Sequence, residues 1–257
     1  LLKYLINMDR KTKIIATVGP SLSSESKIKK IIDAGANVLR INFSHGTLED
    51  HENVISWARK SNKQVAIMQD IQGPKIRTGI SSENTFLEKS KNVTLTNIET
   101  ESNSDIVFIN YENLLRDVNV DDRVFIDDGQ IVLKVVEKEN DKLEALILIG
   151  GELRDNQGVA FPDSNLSVSA ITEKDKEHLK FGSEHDVDFV AVSFVRNASD
   201  INLVKEIIPK DVKVIAKIEL KTALDNIDEI LDVADGVMVA RGDLGVQLPL
   251  EQVPFVQ

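Results

Sequence analysis

Cysteine does not occur in the 257-residue sequence, which excludes disulfides, thiolate metal sites and a cysteine nucleophile. The sequence also has no apolar run of membrane-spanning length, and no charged-then-apolar segment at its start reads as a signal peptide. We therefore expect a cytoplasmic protein with no membrane partner. The formal net charge of −11 argues against nucleic acid as the main partner, while a local group of basic residues can still bind a small anion.

Six apolar segments rich in β-forming residues recur along the sequence, each followed by a helical pattern. The predicted strands are residues 13–19, 38–44, 65–70, 188–194, 212–219 and 236–243, and the predicted helices are 24–34, 48–61, 173–185, 199–208 and 223–234. Each strand is apolar on both faces until its last few residues, which is typical of parallel strands covered by helices. Thr172 followed by Asp175 predicts a capping box at the start of the third helix.

A long interval separates the third and fourth predicted strands, and its pattern is different. It contains short alternating segments at residues 92–98, 105–110, 123–126, 130–137 and 143–149. Asp128-Gly129 lies between two of these segments and indicates a hairpin turn. The pattern predicts that residues 1–79 and 162–257 form one βα repeat, which is interrupted by an antiparallel β domain at residues 80–161.

The βα repeat predicts an α/β fold of the TIM (β/α)8 barrel type. A complete barrel needs eight strands, and the sequence supplies about six, so we expect an incomplete barrel. An open doubly wound sheet is the structural alternative, since periodicity alone does not separate the two, and no G-x-G-x-x-G motif supports a dinucleotide version. At the start of the chain, we expect Met8 to be the natural first residue and residues 1–7 to be extraneous.

Polar residues follow the fifth and sixth predicted strands, where the chemistry of a barrel is located. Lys217 and Glu219 are two residues apart on a strand, so their side chains share a face. Asp243 ends the next strand, and two carboxylates from adjacent strands form a site suited to Mg2+. The alternative is that Glu219 and Asp243 are solvated loop carboxylates, and the strand pattern leaves both interpretations open.

Several basic residues also lie at predicted strand ends. Arg40, Lys75, Arg77 and Arg196 together indicate an anionic substrate, although one arginine in such a place is usually a surface residue. His45 is a candidate general base or a hydrogen-bonded structural residue. Three more histidines fall on predicted helices, where we expect them to be solvated: His51, His178 and His185.

Seven segments occur in an order that is specific in combination. They are TKIIATVGP at 12–20, NVLRINFSHG at 37–46, GPKIRTG at 73–79, FIDDG at 125–129, SFVR at 193–196, KIE at 217–219 and DGVMVARGDLGV at 235–246. In this order, and with the insertion in place, they resemble the pyruvate kinase family from about Lys11 to the last residue. In that family the inserted β domain is a mobile lid.

The resemblance implies phosphoryl transfer from phosphoenolpyruvate to ADP, giving pyruvate and ATP in glycolysis. It implies that Glu219 and Asp243 hold Mg2+ or Mn2+, that Lys217 stabilises the transferred phosphoryl group and that Arg40 contacts the phosphate. Backbone N–H groups near Gly242 and Asp243 match the positions that hold the substrate carboxylate. The nucleotide-side positions match Asn42, His45 and Arg77.

The sequence departs from the family pattern at the pocket for a monovalent cation. Familiar members hold K+ with oxygens at positions matching Asn42, Ser44, Asp70 and Ile71, with Thr usual at the last of these. They also carry a glutamate where Lys75 stands. A fixed ammonium can replace the charge of K+, so the sequence resembles the K+-independent branch and predicts that K+ is not required.

Other departures concern the lid and the length of the chain. Gln157 stands where the family usually carries a lysine, and Leu220 where an asparagine is usual. Two barrel strands and a C-terminal domain of the family are not matched. The resemblance also implies that the full-length protein is a homotetramer. Two further hypotheses remain: a barrel aldolase or lyase that stabilises an enolate on Mg2+, and an inactive fragment that only binds ligand.

Overall fold

The computed structural model describes residues 11–61 and 64–257, so the expected start at Met8 lies outside the described residues. The strands are β1 (Ile15–Val18), β2 (Val38–Asn42), β3 (Ala66–Ile71), β4 (Phe86–Leu87), β5 (Asn92–Thr96), β6 (Ile106–Phe108), β7 (Arg123–Ile126), β8 (Ile131–Lys138), β9 (Leu143–Ile149), β10 (Gly151–Glu152), β11 (Val159–Ala160), β12 (Phe189–Val192), β13 (Lys213–Ile218) and β14 (Gly236–Val239).

The α-helices are α1 (Glu25–Asp33), α2 (Leu48–Arg59), α3 (Leu114–Asp117), α4 (Glu173–Glu184), α5 (Ala198–Ile207), α6 (Lys221–Asp225), α7 (Ile227–Val233), α8 (Arg241–Gln247) and α9 (Val253–Val256). Short 3-10 helices occur at Pro20–Leu22 and Leu250–Gln252. Within the described part of the chain, none of these helices is both long and apolar enough to cross a membrane.

Six parallel strands form the sheet that we call the barrel sheet, in the order β1-β2-β3-β12-β13-β14. The strand order follows the chain order throughout. A doubly wound sheet would show a reversal of strand order, so that alternative is wrong. The predicted α/β fold, with six parallel strands of a barrel, is confirmed. β3 and β12 are neighbours, with Met68 opposite Phe189, although the whole insertion lies between them in the chain.

Helix ends follow the local chemistry of the sequence. In α4 the side chain of Thr172 accepts from the backbone of Asp175, whose carboxylate accepts from the backbone of Thr172, so the predicted capping box is confirmed. The single helix predicted at residues 223–234 is instead divided into α6 and α7. The break falls at Asn226, which leaves the helical conformation and donates its side-chain amide to the carbonyl of Arg196 at 2.9 Å.

The insertion forms a second six-stranded sheet, the inserted sheet, in the order β11-β7-β8-β9-β5-β6. The hairpin predicted at Asp128-Gly129 joins the antiparallel strands β7 and β8. The expectation of a purely antiparallel arrangement is wrong for one pair, because β5 and β6 are parallel. Residues 97–105 between them carry the chain back to the starting end of β5, so β6 runs in the same direction.

Each sheet has its own apolar core. The barrel-side core combines residues of the strands with the inner faces of the helices, including Ile28, Leu39 and Leu179. The inserted sheet closes over a separate core that includes Leu95, Leu133 and Ile147. The site described below therefore lies between two independently packed bodies of side chains.

Candidate active site

Lys217 is the centre of a buried charged cluster at the carboxyl end of the barrel sheet. The residue is only 8% exposed. Its Nζ lies 2.8 Å from Glu219 Oε1 and 3.2 Å from Asp70 Oδ1, and it donates to Ser193 Oγ at 2.8 Å. The ends of three neighbouring strands thus place an ammonium between two carboxylates, as the two-residue spacing of Lys217 and Glu219 allows.

Arg40 extends this cluster towards β2 and β1. Its Nε donates to Asp70 Oδ2 at 2.7 Å, and its Nη1 donates to Thr17 Oγ1 at 3.0 Å. Asp70 is therefore shared by two cations, Arg40 and Lys217. Because an unpaired charge is costly to bury, this alternation of sign keeps every charge in the buried cluster compensated.

The pKa values within the cluster reflect burial and pairing. Burial opposes the charged form of Lys217, but attraction to Glu219 and Asp70 outweighs it and raises the pKa of Lys217 above its ordinary value. Burial also raises the pKa of the Glu219 carboxyl, Lys217 and the backbone N–H of Phe194 partly offset that rise, and repulsion from Asp243 adds to it. The neighbourhood of Glu219 and Asp243 therefore favours an added cation.

The loop after β12 fixes the second oxygen of Glu219. The backbone N–H of Phe194 donates to Glu219 Oε2 at 2.7 Å. Phe194 has a φ of 55°, a left-handed conformation that is rare for an aromatic residue and that marks functional sites. Ser193, just before it, donates its hydroxyl to the carbonyl of Ile71 at 2.7 Å. The backbone conformation thus aims Glu219 and links β12 to β3.

A cleft of about 340 Å3 lies between the carboxyl end of the barrel sheet and the inserted sheet. From the barrel side it is lined by Lys75, Arg77, Arg196, Glu219, Lys221 and Asp243, and from the inserted side by Phe125, Asp128, Val159 and Phe161. The cleft thus brings both candidate metal ligands together with several cations.

The residues around this cleft match one family throughout. The family model described as "Pyruvate kinase, barrel domain" matches residues 9–257. This chain belongs to the pyruvate kinase family. The pyruvate kinase of Thermotoga maritima is 44% identical over 256 residues, which is 96% of this chain and 55% of that protein. The pyruvate kinase of Staphylococcus aureus strain MRSA252 is also 44% identical, over 258 residues, which is 96% of this chain and 44% of that protein.

The chain spans about half the length of these two curated pyruvate kinases. The match extends from the first barrel strand across the inserted sheet to the last described residue. Membership of the pyruvate kinase family displaces the aldolase or lyase hypothesis, since the matched model is that of the kinase barrel.

The chemistry of the donor set at the cleft fits the divalent metal on which pyruvate kinase activity depends. Within residues 11–61 and 64–257, no three carboxylate, imidazole or thiol groups form a ready-made metal cage. Mg2+ does not need one, because it usually takes one or two carboxylates together with water and substrate oxygens. Glu219 and Asp243 offer that pair, and their mutual repulsion is the kind that a divalent cation relieves.

Of the residues expected to form a monovalent-cation pocket, Asn42 and Asp70 have side-chain oxygens that are engaged within the protein. Asn42 Oδ1 accepts from the backbone N–H of Ser44 at 2.9 Å. The two carboxylate oxygens of Asp70 face Arg40 and Lys217. Lys75 lines the cleft and is half-buried, and its pKa is lowered by burial and by repulsion from Arg77, Lys174 and Lys217. No carboxylate in the described part of the chain forms an ion pair with Lys75.

Three groups of predicted site residues are not among the residues that line the cleft. The first is the buried cluster of Arg40, Asp70 and Lys217. The second is Asn42, the last residue of β2, with Ser44 and His45 just after it, where the carbonyl of Asp70 accepts from the backbone N–H of Phe43 at 2.9 Å. The third is Gly242. Gly242 lies in the first turn of α8, because β14 ends at Val239 and not at residue 243 as predicted. First-turn N–H groups have no partner within their own helix.

Arg196, one of the four cations expected to indicate an anionic substrate, has four of its N–H donors engaged by the protein itself. Its Nε and Nη2 donate to the two carboxylate oxygens of Asp200, at 3.0 Å and 2.9 Å. Its Nη1 donates to the carbonyls of Leu166 and Val168, at 2.9 Å and 2.6 Å. The guanidinium lines the cleft, but its donors serve protein acceptors.

The expectation that His51 and His178 are solvated is wrong. They are 6% and 7% exposed and pack on Phe43 between α2 and α4, with ring-centroid distances of 4.1 Å and 5.1 Å. Burial lowers the pKa of each imidazole, the ring of His178 lowers the pKa of His51 further, and Lys174 does the same for His178. Both rings are therefore held in the neutral form.

Gln157, one of the departures from the family pattern, is 6% exposed and lies just before β11, where its backbone pairs with Thr78. Its Oε1 accepts from the backbone N–H of Arg154 at 2.9 Å, and the neutral side chain offers the cleft no cation. Leu220, the other departure, lines the cleft directly.

The sequence pattern missed two residues that position the site. Ser193 joins Lys217 to the carbonyl of Ile71. Asp175, which the pattern showed only as part of a cap, also accepts from the backbone N–H groups of Gln72 and Gly73, both at 3.2 Å. A polar residue at a predicted strand end was the available signal for Ser193, whereas no local signal linked Asp175 to residues so distant in the chain.

Proposed function

We propose that this chain carries the catalytic centre of a pyruvate kinase, which transfers a phosphoryl group from phosphoenolpyruvate to ADP and yields pyruvate and ATP in glycolysis. The observation that supports this most is Lys217, buried between Glu219 and Asp70 at the mouth of the barrel sheet. Phosphoryl transfer requires little covalent chemistry from the protein, so positioning and charge stabilisation dominate.

Glu219 and Asp243 hold the divalent metal, Mg2+ or Mn2+, in this proposal. When bound, the metal supplies charge stabilisation for oxygens of the substrate and of the transferred group. The backbone N–H of Phe194 donates to Glu219 Oε2 at 2.7 Å and so fixes the orientation of the carboxylate. Lys217, whose raised pKa keeps it protonated, offers its ammonium to the transferred phosphoryl group.

The remaining substrate contacts follow the family positions. Arg40 contacts the phosphate, and the N–H groups at Gly242 and Asp243 hold the substrate carboxylate. Asn42, His45 and Arg77 serve the nucleotide. Arg77 lines the cleft and is itself held by Asn156, whose carbonyl accepts from Nη1 at 2.5 Å.

The ammonium of Lys75 takes the place of K+ in this proposal, beside a pocket formed by Asn42, Ser44 and Asp70. The support is the position of Lys75 among cations without a carboxylate partner in the described residues, and the apolar Ile71 where an oxygen is usual. Activity should then be the same with and without K+. We expect Lys75→Glu to create a dependence on K+, which a titration of activity with KCl at constant ionic strength measures.

The domain division and the cellular setting are part of the same proposal. Residues 1–79 and 162–257 belong to the catalytic barrel and residues 80–161 to the lid. The two separate cores support a division into two units, and at its edges Ile76, Leu166 and Val168 pack against the core of the inserted sheet. We place the enzyme in the cytoplasm as a homotetramer. Size measurement by light scattering of the purified protein tests the tetramer.

The deciding experiment is pyruvate formation from phosphoenolpyruvate, ADP and Mg2+ by the purified protein. We expect Lys217→Met and Glu219→Gln each to lower kcat by about 10²–10³-fold, the usual cost of losing a preorganised electrostatic group. The matched control is Lys210→Met, which removes an exposed lysine far from the cleft. Turnover that does not depend on Glu219 would refute the proposed centre.

A further inference from the structure

The chain returns from the inserted sheet to the barrel through residues 162–170, which we call the return connection. On one side it is joined to the inserted sheet. Asp163 forms a bidentate salt bridge with Arg123, at 2.7 Å and 2.9 Å. The hydroxyl of Ser164 donates to Asp122 at 2.7 Å. The side chains of Leu166 and Val168 pack against the core of the inserted sheet. The return connection and the inserted sheet therefore form one packed unit.

On the other side the return connection is held to the barrel by a single side chain. Arg196 Nη1 donates to the carbonyls of Leu166 and Val168, at 2.9 Å and 2.6 Å. Within residues 11–61 and 64–257, no other barrel residue except the adjoining Ile171 forms a hydrogen bond with the return connection. Leu166 and Val168 thus face the inserted sheet with their side chains and the barrel with their carbonyls.

Arg196 is itself rigidly held. Asp200, which is 7% exposed and lies in the first turn of α5, accepts from Nε, from Nη2 and from the backbone N–H of Arg196. Asn226 donates to the carbonyl of Arg196 at 2.9 Å. A guanidinium has five N–H donors, and four of them are engaged by Asp200 and the two carbonyls. Little capacity remains for a ligand.

The return connection also forms a wall of the cleft. The side of the cleft that faces the inserted sheet is lined by Pro162, Leu166 and Val168. The barrel side is lined by Glu219 and Asp243. Any shift of the carbonyls of Leu166 and Val168 therefore changes the separation between the inserted sheet and the candidate metal ligands.

We propose that Arg196, fixed by Asp200, is a positioning residue that clamps the return connection and so sets the distance between the inserted sheet and Glu219 and Asp243. The inference rests on the proposed function only for its kinetic consequence. The geometric consequence, a change in the position of the inserted sheet, holds whatever reaction occurs in the cleft. Arg196 contacts no substrate in this account.

The test compares Arg196→Lys with Arg59→Lys. Lysine keeps the charge but cannot bridge a carboxylate and two carbonyls at once. Arg59 is a matched control, because it also joins a carboxylate, Asp188, to backbone carbonyls, those of Val65 and Asp186, but at the opposite end of the strands. Urea unfolding of both variants shows whether they lose comparable stability.

The first readout is a distance. Because the chain has no cysteine, Lys89→Cys, in the exposed turn before β5 of the inserted sheet, and Lys180→Cys on α4 accept a pair of fluorophores specifically. We expect the energy-transfer distribution to shift or broaden in Arg196→Lys and to stay unchanged in Arg59→Lys. An unchanged distribution in Arg196→Lys overturns the proposal, as does an equal change in the control.

The second readout is the division between KM and kcat in pyruvate formation. A misplaced wall weakens substrate binding, so we expect KM for ADP to rise about tenfold in Arg196→Lys while kcat falls less. Arg59→Lys should leave both constants unchanged. If the parent protein forms no pyruvate, the proposed function fails, and the distance measurement still decides the role of Arg196.

Discussion

The two connections between the barrel and the inserted sheet are held by opposite chemistry. The outgoing connection, residues 72–76, is held by a carboxylate: Asp175 accepts from the N–H groups of Gln72 and Gly73 at 3.2 Å each. The return connection is held by a guanidinium: Arg196 donates to two carbonyls. Both anchors depend on an aspartate in the first turn of a helix, Asp175 in α4 and Asp200 in α5. The barrel therefore fixes each crossing through helix termini and not through strand pairing.

The two connections also differ in how closely they are packed. Asp175 is 1% exposed, and Gly73 next to it has a φ of 66° and would place a Cβ only 3.1 Å from the ring of Phe194. The side chain of Arg196 is 20% exposed and reaches the return connection across the cleft wall. The outgoing connection is thus the stiffer of the two. A change there should lower mainly the stability of the protein, whereas a change at Arg196 should alter mainly the position of the inserted sheet.

The largest effect should come from removing the carboxylate of the outgoing connection. Asp175→Ala leaves the N–H groups of Gln72, Gly73 and Thr172 without their acceptor and removes the capping box of α4. We expect a loss of about 3 kcal/mol in the free energy of unfolding, measured in urea. Asp50→Ala is the control, since Asp50 completes the capping box of α2 but holds no connection. Equal losses in the two variants would show that Asp175 acts only as a cap.

A smaller effect should follow from altering the backbone of the outgoing connection. Gly73→Ala places a side chain at a positive φ and against Phe194, so we expect a loss of about 1–2 kcal/mol. Because Phe194 also holds Glu219, kcat should fall as well. Gly19→Ala is the control, as Gly19 has an extended φ of −125° and open space around it. An unfolding free energy equal to that of the parent would contradict the packing described.

The smallest effect should be a pH dependence of stability that distinguishes the Asp175 anchor from the Arg196 anchor. His51 and His178 pack on the α4 side, and burial lowers their pKa below the ordinary value of 6.5, so the folded state favours the neutral rings. Their contribution to stability is therefore present above pH 6.5 and is lost as pH falls through the lowered pKa values. The charged groups that act on the two rings are Asp50, Lys174, Asp175 and Glu177.

Stability curves at several pH values measure this contribution. We expect the free energy of unfolding to fall as the solution is acidified below pH 6.5, because the unfolded chain then takes up protons that the buried rings resist. His178→Gln should make the curve less steep below pH 6.5, while Arg196→Lys should leave its slope unchanged. The same slope with and without His178 would remove this distinction between the two connections.

The local sequence pattern was sufficient to predict the structural features that depend on residues close together in the chain. The six parallel strands follow from their apolar runs, the Thr172–Asp175 cap from its spacing, and the shared face of Lys217 and Glu219 from the strand repeat. These features are local because a strand or a cap is specified within a few residues.

What the sequence could not supply depends on contacts between distant segments. The spacing of Arg196 and Asp200 allows their ion pair, but the other two acceptors of Arg196 are the carbonyls of Leu166 and Val168, and a carbonyl has no signature in the residue type. His51 and His178 lie on helices whose apolar faces alone do not show that Phe43 brings the two rings together. The break at Asn226 likewise depends on the carbonyl of Arg196, 30 residues earlier. Partners of this kind become visible only in three dimensions.

The placement of the insertion between two neighbouring barrel strands also bears on how the chain folds. The backbone of Ile67 bonds to the side chain of Asp188, which is 121 residues away. Closing a disordered loop of that length costs about 4 kcal/mol in chain entropy. If the inserted sheet folds first on its own core, about 40 flexible residues remain, and the cost falls by about 1 kcal/mol. We therefore predict that the inserted sheet folds early. Weakening its core should then slow the formation of the barrel, although no residue of that core belongs to the barrel sheet.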